Sequence, residues 1–394
     1  MTTPIPPPLV IPLPEGIPPD EEVDKPTPGE LVHTTETGLP VLIFGAGTFS
    51  NQYNTDDHLS SFTPMRMVRL ALRYGIRAFD TSIYYGPSEV VLGNALKLIE
   101  KSGEFARNDY QLLTKCGRFG VGTTTFDYSP ATIRQSVEHS LARLQTDYLD
   151  VVYLHDTEFV AECAMPRTRG VHRGAVGEES KQYGLAPGDE AIIRGEGDKK
   201  VLAAWAELRA MKAEGKIRKI GLTGYPIATV LRLALLILHT EPFEPVDIVM
   251  SYAHLSLQNT LFADFATQFK ERAKVKELIN ASPFNMGLLT PNIPPWHPAP
   301  LELKNAIRRT TEELGKDGFT DLALGYAIRR SEELSMPLVA GFSSEREVHE
   351  CVRNYREIRQ GGESDEKRKQ RENRAREVIG QAGWLDWSWA SPGE

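Results

Sequence analysis

Four residue types suited to proton handling close successive apolar runs of this chain. Asp80 opens the stretch "DTSIYYG", in which the adjacent tyrosines Tyr84 and Tyr85 precede Gly86; Lys115 closes "LLTK" and His155 closes "VVYLH". A free tyrosine loses its proton only near pH ~10, too high for an efficient proton carrier at neutral pH. A lysine ammonium within hydrogen-bond reach favours the phenolate and lowers that value. A carboxylate beside the lysine would keep it charged and oriented, and an imidazole would hydrogen-bond the reacting oxygen. Taken singly, each residue also has a plain reading: Asp80 as a turn or cap residue, Lys115 as a solvated strand end, His155 as a satisfied core histidine. Taken in order, they describe one tyrosine with tuned acidity.

Elements that could position such a set are legible from hydrophobic periodicity. "VLIF" (41–44) reads as a strand. In "TPMRMVRLALRYG", Thr63 reads as N-cap, Pro64 as the first helical residue, Val68, Ala71 and Leu72 as the buried face and Gly75 as the stop. "AFDT" is the next strand, followed by a helix from Ser88 that buries Leu92, Ala95, Leu96 and Ile99. "YQLLTK", a helix with Ile133, Val137, Leu141 and Leu144 on one side, "YLDVVYLHD", the helical "VLAAWAELRAMKAEG" and "RKIGLTG" continue the alternation. "DIVMSY", "KELINASP" and "MPLVAGF" complete eight strand–helix units. Alternation of this kind requires parallel strands with right-handed crossovers, and eight units predict a closed (β/α)8 barrel, with an open doubly wound sheet as the alternative. In a barrel the chemistry sits at the carboxyl ends of the strands, where these four polar residues fall.

Three segments depart from the rhythm. Residues 1–30 are Pro-rich and read as an extended arm. Residues 158–199, rich in glycine and charge, read as a long loop leaving the carboxyl end of the fourth strand, either shaping a substrate pocket or forming a flexible surface insertion. Residues 357–394 read as a charged helix ending in "WLDWSW", a C-terminal extension whose tryptophans pack on the wall of the barrel domain, 31–356.

The chain's totals narrow the class. With 394 residues, 41% hydrophobic and 25% charged, it can bury a full core as one domain. A net charge of −8 argues against a nucleic-acid or anionic-membrane surface and leaves a small molecule as the expected partner. Three widely spaced cysteines suggest neither disulfides nor a zinc site. The N-terminal residues do not resemble a secretory or transit peptide, and no apolar run reaches transmembrane length, so a cytoplasmic protein is expected; the oligomeric state is not legible.

The ordered tetrad resembles that of the aldo-keto reductase superfamily. The stretches that carry the resemblance are "GIRAFDTSIYYGPSEVVLGNAL", "LLTKCG", "LARLQTDYLDVVYLHD" and "GKIRKIGLTG"; "IGLTGYP" and "NASPFNMGLLT" are similar to its branch of D-arabinose 1-dehydrogenases and L-galactose dehydrogenases. The resemblance implies that Tyr85, five positions after the aspartate and directly before glycine, is the acid/base, with Asp80, Lys115 and His155 as its partners. It implies NAD-dependent oxidation of an aldose such as D-arabinose at C1, giving the lactone. The alternatives are an NADPH-dependent aldehyde or ketone reductase, using the same residues, and a non-catalytic nucleotide-sensing scaffold.

For the cofactor, the resemblance implies contacts from Gly47, Thr48, Asp80, Thr223, Gly224, Ser282, Phe284, Met286, Gly287, Gly341, Ser343, Ser344 and Glu347. Gly341 and Glu347 stand where NADP-preferring relatives carry basic residues. A carboxylate there would repel a 2′-phosphate and could accept a hydrogen bond from a free ribose hydroxyl, which favours NAD, although Arg346 is adjacent. Glu347 reads equally as a first-turn acid facing the helix dipole. Around the nicotinamide the family's usual serine and asparagine appear as Thr223 and Gly224, its glutamine as Met250 and its ring-stacking tyrosine as Ala281. "FGAGTFS" lacks the third glycine of a dinucleotide fingerprint, and no metal-ligand spacing is present, so no metal is expected.

Overall fold

The computed structural model describes residues 16–29, 31, 34–315 and 318–393; most of the Pro-rich arm, residues 1–15 and 30, lies outside them. Eight parallel strands close into one barrel in sequence order: β1 (Leu42–Gly45), β2 (Ala78–Asp80), β3 (Gln111–Cys116), β4 (Leu149–Leu154), β5 (Ile217–Gly224), β6 (Ile248–Tyr252), β7 (Glu277–Ala281) and β8 (Leu338–Gly341). Their residues are almost all buried, as strands covered on both faces must be. The expected (β/α)8 class is the observed one.

Contacts group the chain into two compact units, Met1–Ala161 with Gly195–Thr223 and Val339–Glu350, and Glu162–Arg194 with Gly224–Leu338 and Cys351–Glu394. In the first unit, helix Thr63–Tyr74 buries Val68, Ala71 and Leu72 and ends on Gly75, whose φ of 88° and close approach to the Leu31 backbone both require glycine. Its N-cap is Phe62, one residue before the expected Thr63, because the Ser61 hydroxyl already accepts the Thr63 N–H at 3.1 Å. Residues 20–24 lie along this helix, Asp20 pairing with Arg69 and Arg73 and Asp24 with Arg66. Helix Ser88–Ser102 buries Leu92, Ala95, Leu96 and Ile99 at the expected spacing, and helix Pro130–Leu144 buries Ile133, Val137 and Leu144.

The register between β2, β3 and β4 sets the site. Asp80 is the last residue of β2 and pairs with Leu113, while Lys115, two residues further along β3, pairs with Tyr153 of β4. His155 follows β4 directly, its N–H bonded to the Cys116 carbonyl at 3.0 Å. All three therefore emerge at the same end of neighbouring strands.

In the second unit the 162–194 segment is folded through specific contacts: Arg167 with Glu179, Arg173 with Asp264 and Asp386, and His172 Nδ1 with the Tyr183 hydroxyl at 3.0 Å. The helix that follows, Glu196–Ala213, begins inside the stretch expected to be loop, because Glu196, Gly197 and Asp198 form its first turn. The last barrel helix, Glu345–Gln360, runs past the expected boundary at 356, and Glu363–Gln381 forms the charged C-terminal helix. Arg329 bridges Asp365 and Glu372 of that helix. Trp389 is 4% exposed and stacks on Tyr225 with centroids 4.5 Å apart and planes 14° apart. Among the described residues no helix is long and apolar enough to cross a membrane.

Candidate active site

Beyond β2 the chain runs extended through Thr81 and Ser82 and then turns in a short 3-10 segment, Ile83–Tyr85, that ends on Gly86 at φ 61°. The Ser82 hydroxyl caps this turn by accepting the Tyr84 N–H at 3.1 Å. The turn aims both tyrosine rings back over the strand ends, each edge-on to His155, at 5.7 Å for Tyr84 and 5.9 Å for Tyr85. The cations separate them. The Lys115 ammonium lies 4.8 Å from the Tyr85 ring centroid, whereas the Arg118 guanidinium lies 3.7 Å from that of Tyr84.

Lys115 is 2% exposed, and its ammonium donates to Asp80 Oδ1 at 2.5 Å and to the Thr81 carbonyl at 2.9 Å. Burial alone would pull its pKa down, but the Asp80 carboxylate and the Tyr85 phenol hold it above the ordinary lysine value, so it stays charged. Tyr85 is half-buried as a residue, yet its surroundings are dense enough that desolvation raises the phenol's pKa. Lys115 opposes that rise and the Asp80 and Asp156 carboxylates add to it, so the net direction is upward. The expected lowering by lysine is thus present as one influence and outweighed by burial. His155, 4% exposed, is held well below the ordinary imidazole value by burial and then by Lys115 and Arg118, and is neutral at neutral pH.

The His155 backbone is pinned from both sides, since its carbonyl accepts the Tyr128 hydroxyl at 2.8 Å. That contact depends on Gly117, where φ is 89° and a Cβ would sit 2.5 Å from the Tyr128 ring. Three residues that sequence reasoning left aside, Ser82, Arg118 and Asp156, surround His155: Ser82 Oγ lies 3.1 Å from Nδ1, and Asp156, ion-paired to Arg118, lies 3.6 Å from Nε2. Asp156 was within reach of the sequence, being the polar residue directly after an apolar run. Arg118 and Ser82 carry no such mark.

The residues expected to hold a dinucleotide divide between the two units. In the first, Gly47 faces Tyr85, where a Cβ would meet the ring at 3.6 Å, and the Thr48 hydroxyl donates to the Phe342 carbonyl at 2.6 Å. Asn54 ties this loop to the last helix by donating to the Thr48 carbonyl at 2.8 Å and to Ser343 Oγ at 2.9 Å. Gly341 is tightly enclosed, with a Cβ at 3.0 Å from the Thr48 methyl and 3.3 Å from the Gly45 carbonyl. Ser344 Oγ accepts the Glu347 N–H at 3.4 Å, and Glu347 turns its own carboxylate onto the Ser343 N–H at 2.7 Å. Thr223 is buried in β5. In the second unit Gly224 ends β5, and Ser282, Asn285, Met286 and Gly287 all take positive φ in a tight turn closed by the Met286 N–H on Ser282 Oγ at 2.8 Å, with Phe284 against the apolar core.

One atom of the tetrad fits a bound partner. Asp80 Oδ2 is buried with no hydrogen-bond partner among the described residues, so a ligand hydroxyl brought to it would satisfy it. Among the described residues no group of three or more His, Cys, Asp or Glu side chains is placed to hold a metal ion.

The family model described as "Aldo/keto reductase family" matches residues 41–359. This chain belongs to that family. It is 34% identical over 347 residues to the L-galactose dehydrogenase of Arabidopsis thaliana, covering 86% of this chain and 91% of that protein. It is 33% identical over 326 residues to the D-arabinose 1-dehydrogenase of Saccharomyces cerevisiae, covering 82% and 84%. Solved structures share the fold: an aldo-keto reductase of Bacillus halodurans in its holo form, 21% identical with a TM-score of 0.54 over 88% of this chain and 95% of that one, and one of Bombyx mori in complex with NADP, 13% identical with a TM-score of 0.54 over 88% and 92%. The protein is accordingly an NAD(P)-dependent oxidoreductase acting on CH–OH groups.

Proposed function

We propose that this aldo-keto reductase is an NAD-linked aldose 1-dehydrogenase, with Tyr85 as acid/base, and that it oxidises D-arabinose or a similar aldose to the lactone. The single observation that carries the mechanism is the buried Lys115–Asp80 pair set against the Tyr85 ring, at the end of the barrel where catalytic groups of this fold lie. Similarity to two sugar 1-dehydrogenases supports the substrate class.

A bound nicotinamide supplies the acceptor for the hydride that leaves C1, and its ribose hydroxyls suit the buried Asp80 Oδ2. Tyr85 takes the proton of the anomeric hydroxyl as that hydride departs, so one proton and one electron pair leave the sugar together. Lys115 stabilises the phenolate that must exist beforehand, and Asp80 keeps Lys115 charged and aimed. His155, neutral, hydrogen-bonds the same oxygen and orients it. NAD preference draws on the negative charge of Glu347, which stands where NADP-preferring relatives carry a basic residue and here accepts the Ser343 N–H.

One observation favours a second reading. Burial keeps the Tyr85 phenol protonated, which suits proton donation to a carbonyl and hence aldehyde reduction with NADPH. Absorbance at the reduced-nicotinamide band, recorded with pentoses, 6-deoxyhexoses and aldehydes and with both cofactors, separates the two. The expected result is aldose-dependent reduction of NAD that Tyr85→Phe lowers by ~10²-fold or more. Equal rates in wild type and Tyr85→Phe would remove the tetrad from the mechanism, and turnover confined to NADPH with aldehydes would establish the second reading.

A further inference from the structure

The surroundings of His155 contain more organisation than a proton-handling tetrad needs. Its Nδ1 lies 3.1 Å from Ser82 Oγ, and that oxygen already accepts the Tyr84 N–H at 3.1 Å. A serine hydroxyl has one hydrogen to give, and here it meets an imidazole nitrogen. With the Tyr84 N–H already on that oxygen, the hydroxyl hydrogen is left to point at Nδ1, an arrangement that makes Nδ1 the acceptor and leaves the hydrogen of the neutral ring for Nε2.

The Nε2 side faces a carboxylate, with Asp156 Oδ2 at 3.6 Å. Asp156 is 1% exposed and holds a φ of 52°, a left-handed conformation costly for an L-residue. That turn, directly after His155, brings the carboxylate back towards the ring. Charge at so buried an oxygen requires a cation, which Arg118 provides. Arg118 is itself fixed, with its Nε donating to the Gly120 carbonyl at 3.1 Å and its guanidinium 3.7 Å from the Tyr84 ring centroid. The stacked Phe126 and Phe159 rings lie further out, at 5.4 and 5.3 Å from it.

We propose that Ser82 and the Arg118–Asp156 ion pair are positioning residues that hold His155 neutral with its hydrogen on Nε2, so that the ring meets the substrate oxygen as a fixed hydrogen-bond donor. The role of that oxygen rests on the aldose-dehydrogenase reading; the state of the ring does not. The charged and titratable groups facing the ring are Lys115 from β3, Arg118 from the loop after it, Asp156 from the segment after β4, and the Tyr84 and Tyr85 phenols from the turn after β2, with Asp80 paired to Lys115. Arg118 pulls the His155 value down and Asp156 pushes the Tyr85 value up, so removing one of the pair leaves the other's charge unbalanced.

Nitrogen chemical shifts of the histidines in the full ¹⁵N-labelled chain, with His155 assigned by its disappearance in His155→Gln, read the ring directly. The wild-type ring is expected as the Nε2–H form, and Ser82→Ala is expected to mix the two tautomers. Arg118→Met should raise the protonation midpoint of His155 by about one pH unit, the lower end of the effect of a charge at this range. In the pH profile of kcat, the Tyr85 limb should move up in Arg118→Met and down in Asp156→Asn. A merely structural pair would move both variants the same way. A wild-type Nδ1–H ring, or shifts of equal sign in the two variants, would overturn the proposal. If no aldose is turned over but the predicted tautomer and midpoint are found, the functional reading fails and this one stands.

Discussion

Replacing Lys115 by methionine removes the cation held against the Tyr85 ring without inserting a larger side chain. The structure sets the size of the effect. The ammonium lies 4.8 Å from the ring centroid. At that separation, with an effective dielectric constant of about 20, unit charges interact by roughly 3.5 kcal/mol. That energy is equivalent to about 2.5 units of pKa. Its loss falls on the phenolate, because the neutral phenol has no charge for the ammonium to stabilise. Burial and two carboxylates already push the phenol upward, and Asp80, stripped of its partner, would press harder. In the oxidative direction the reaction draws on phenolate, so kcat rises with pH through the Tyr85 pKa. Below that limb Lys115→Met should therefore cut kcat by about 300-fold, the factor corresponding to 2.5 pKa units. The assay is kcat against pH for aldose oxidation with saturating NAD, from neutral to strongly alkaline buffer, with thermal melting to verify the fold of the variant. The diagnostic feature is the displaced limb, with activity partly recovering at high pH. An unmoved limb together with an unchanged kcat would refute the electrostatic reasoning, and a uniform loss with no displacement would assign Lys115 to geometry rather than charge.

Two further outcomes concern the second unit. Trp389→Ala removes an indole that is 4% exposed and stacked on Tyr225. A loss of ~3–5 kcal/mol is expected by chemical denaturation. Tyr225→Phe keeps the ring and removes the hydroxyl that accepts the Trp389 backbone N–H at 3.3 Å and meets the Ser388 side chain, and should cost ~1–2 kcal/mol; equal losses in the two variants would contradict the packing assignment. His172 and His297, each lowered to about 4, and His254, lowered to about 3, are all held down chiefly by burial. Their folded values lie below the unfolded one, so the unfolded chain binds the extra protons. The associated stability is present above the unfolded value of about 6.5 and is lost as pH falls towards about 4. A shift of this size is worth about 3 kcal/mol per histidine at the acid end, enough in sum to unfold a domain of ordinary stability. Unfolding free energy measured across that interval should fall steadily, and a flat profile would show that these rings are protonated in the folded protein.

The alternation of apolar runs and amphipathic segments was readable because the barrel buries each strand on both faces and each helix on one, so every element writes its period into the chain. The positions of Asp80, Lys115 and His155 were readable for the same reason, since Asp80 ends its strand, Lys115 lies one residue before the end of the next and His155 directly follows the third. Helix edges were less so: the start moved from Thr63 to a Phe62 cap and from the 158–199 loop to Glu196, because capping is decided by which neighbour supplies an oxygen or a turn.

Sequence alone thus determined the architecture and pointed to Asp80, Tyr85, Lys115 and His155, as both depend on local pattern and on residue type. Only the tertiary structure decided the electrostatic balance. Whether Lys115 or burial governs Tyr85 depends on distances and desolvation that no spacing encodes, and the balance favours burial. Likewise, Ser82, Arg118 and Asp156 converge on one imidazole only because β2, β3 and β4 lie side by side, an arrangement that a single chain states nowhere along its length.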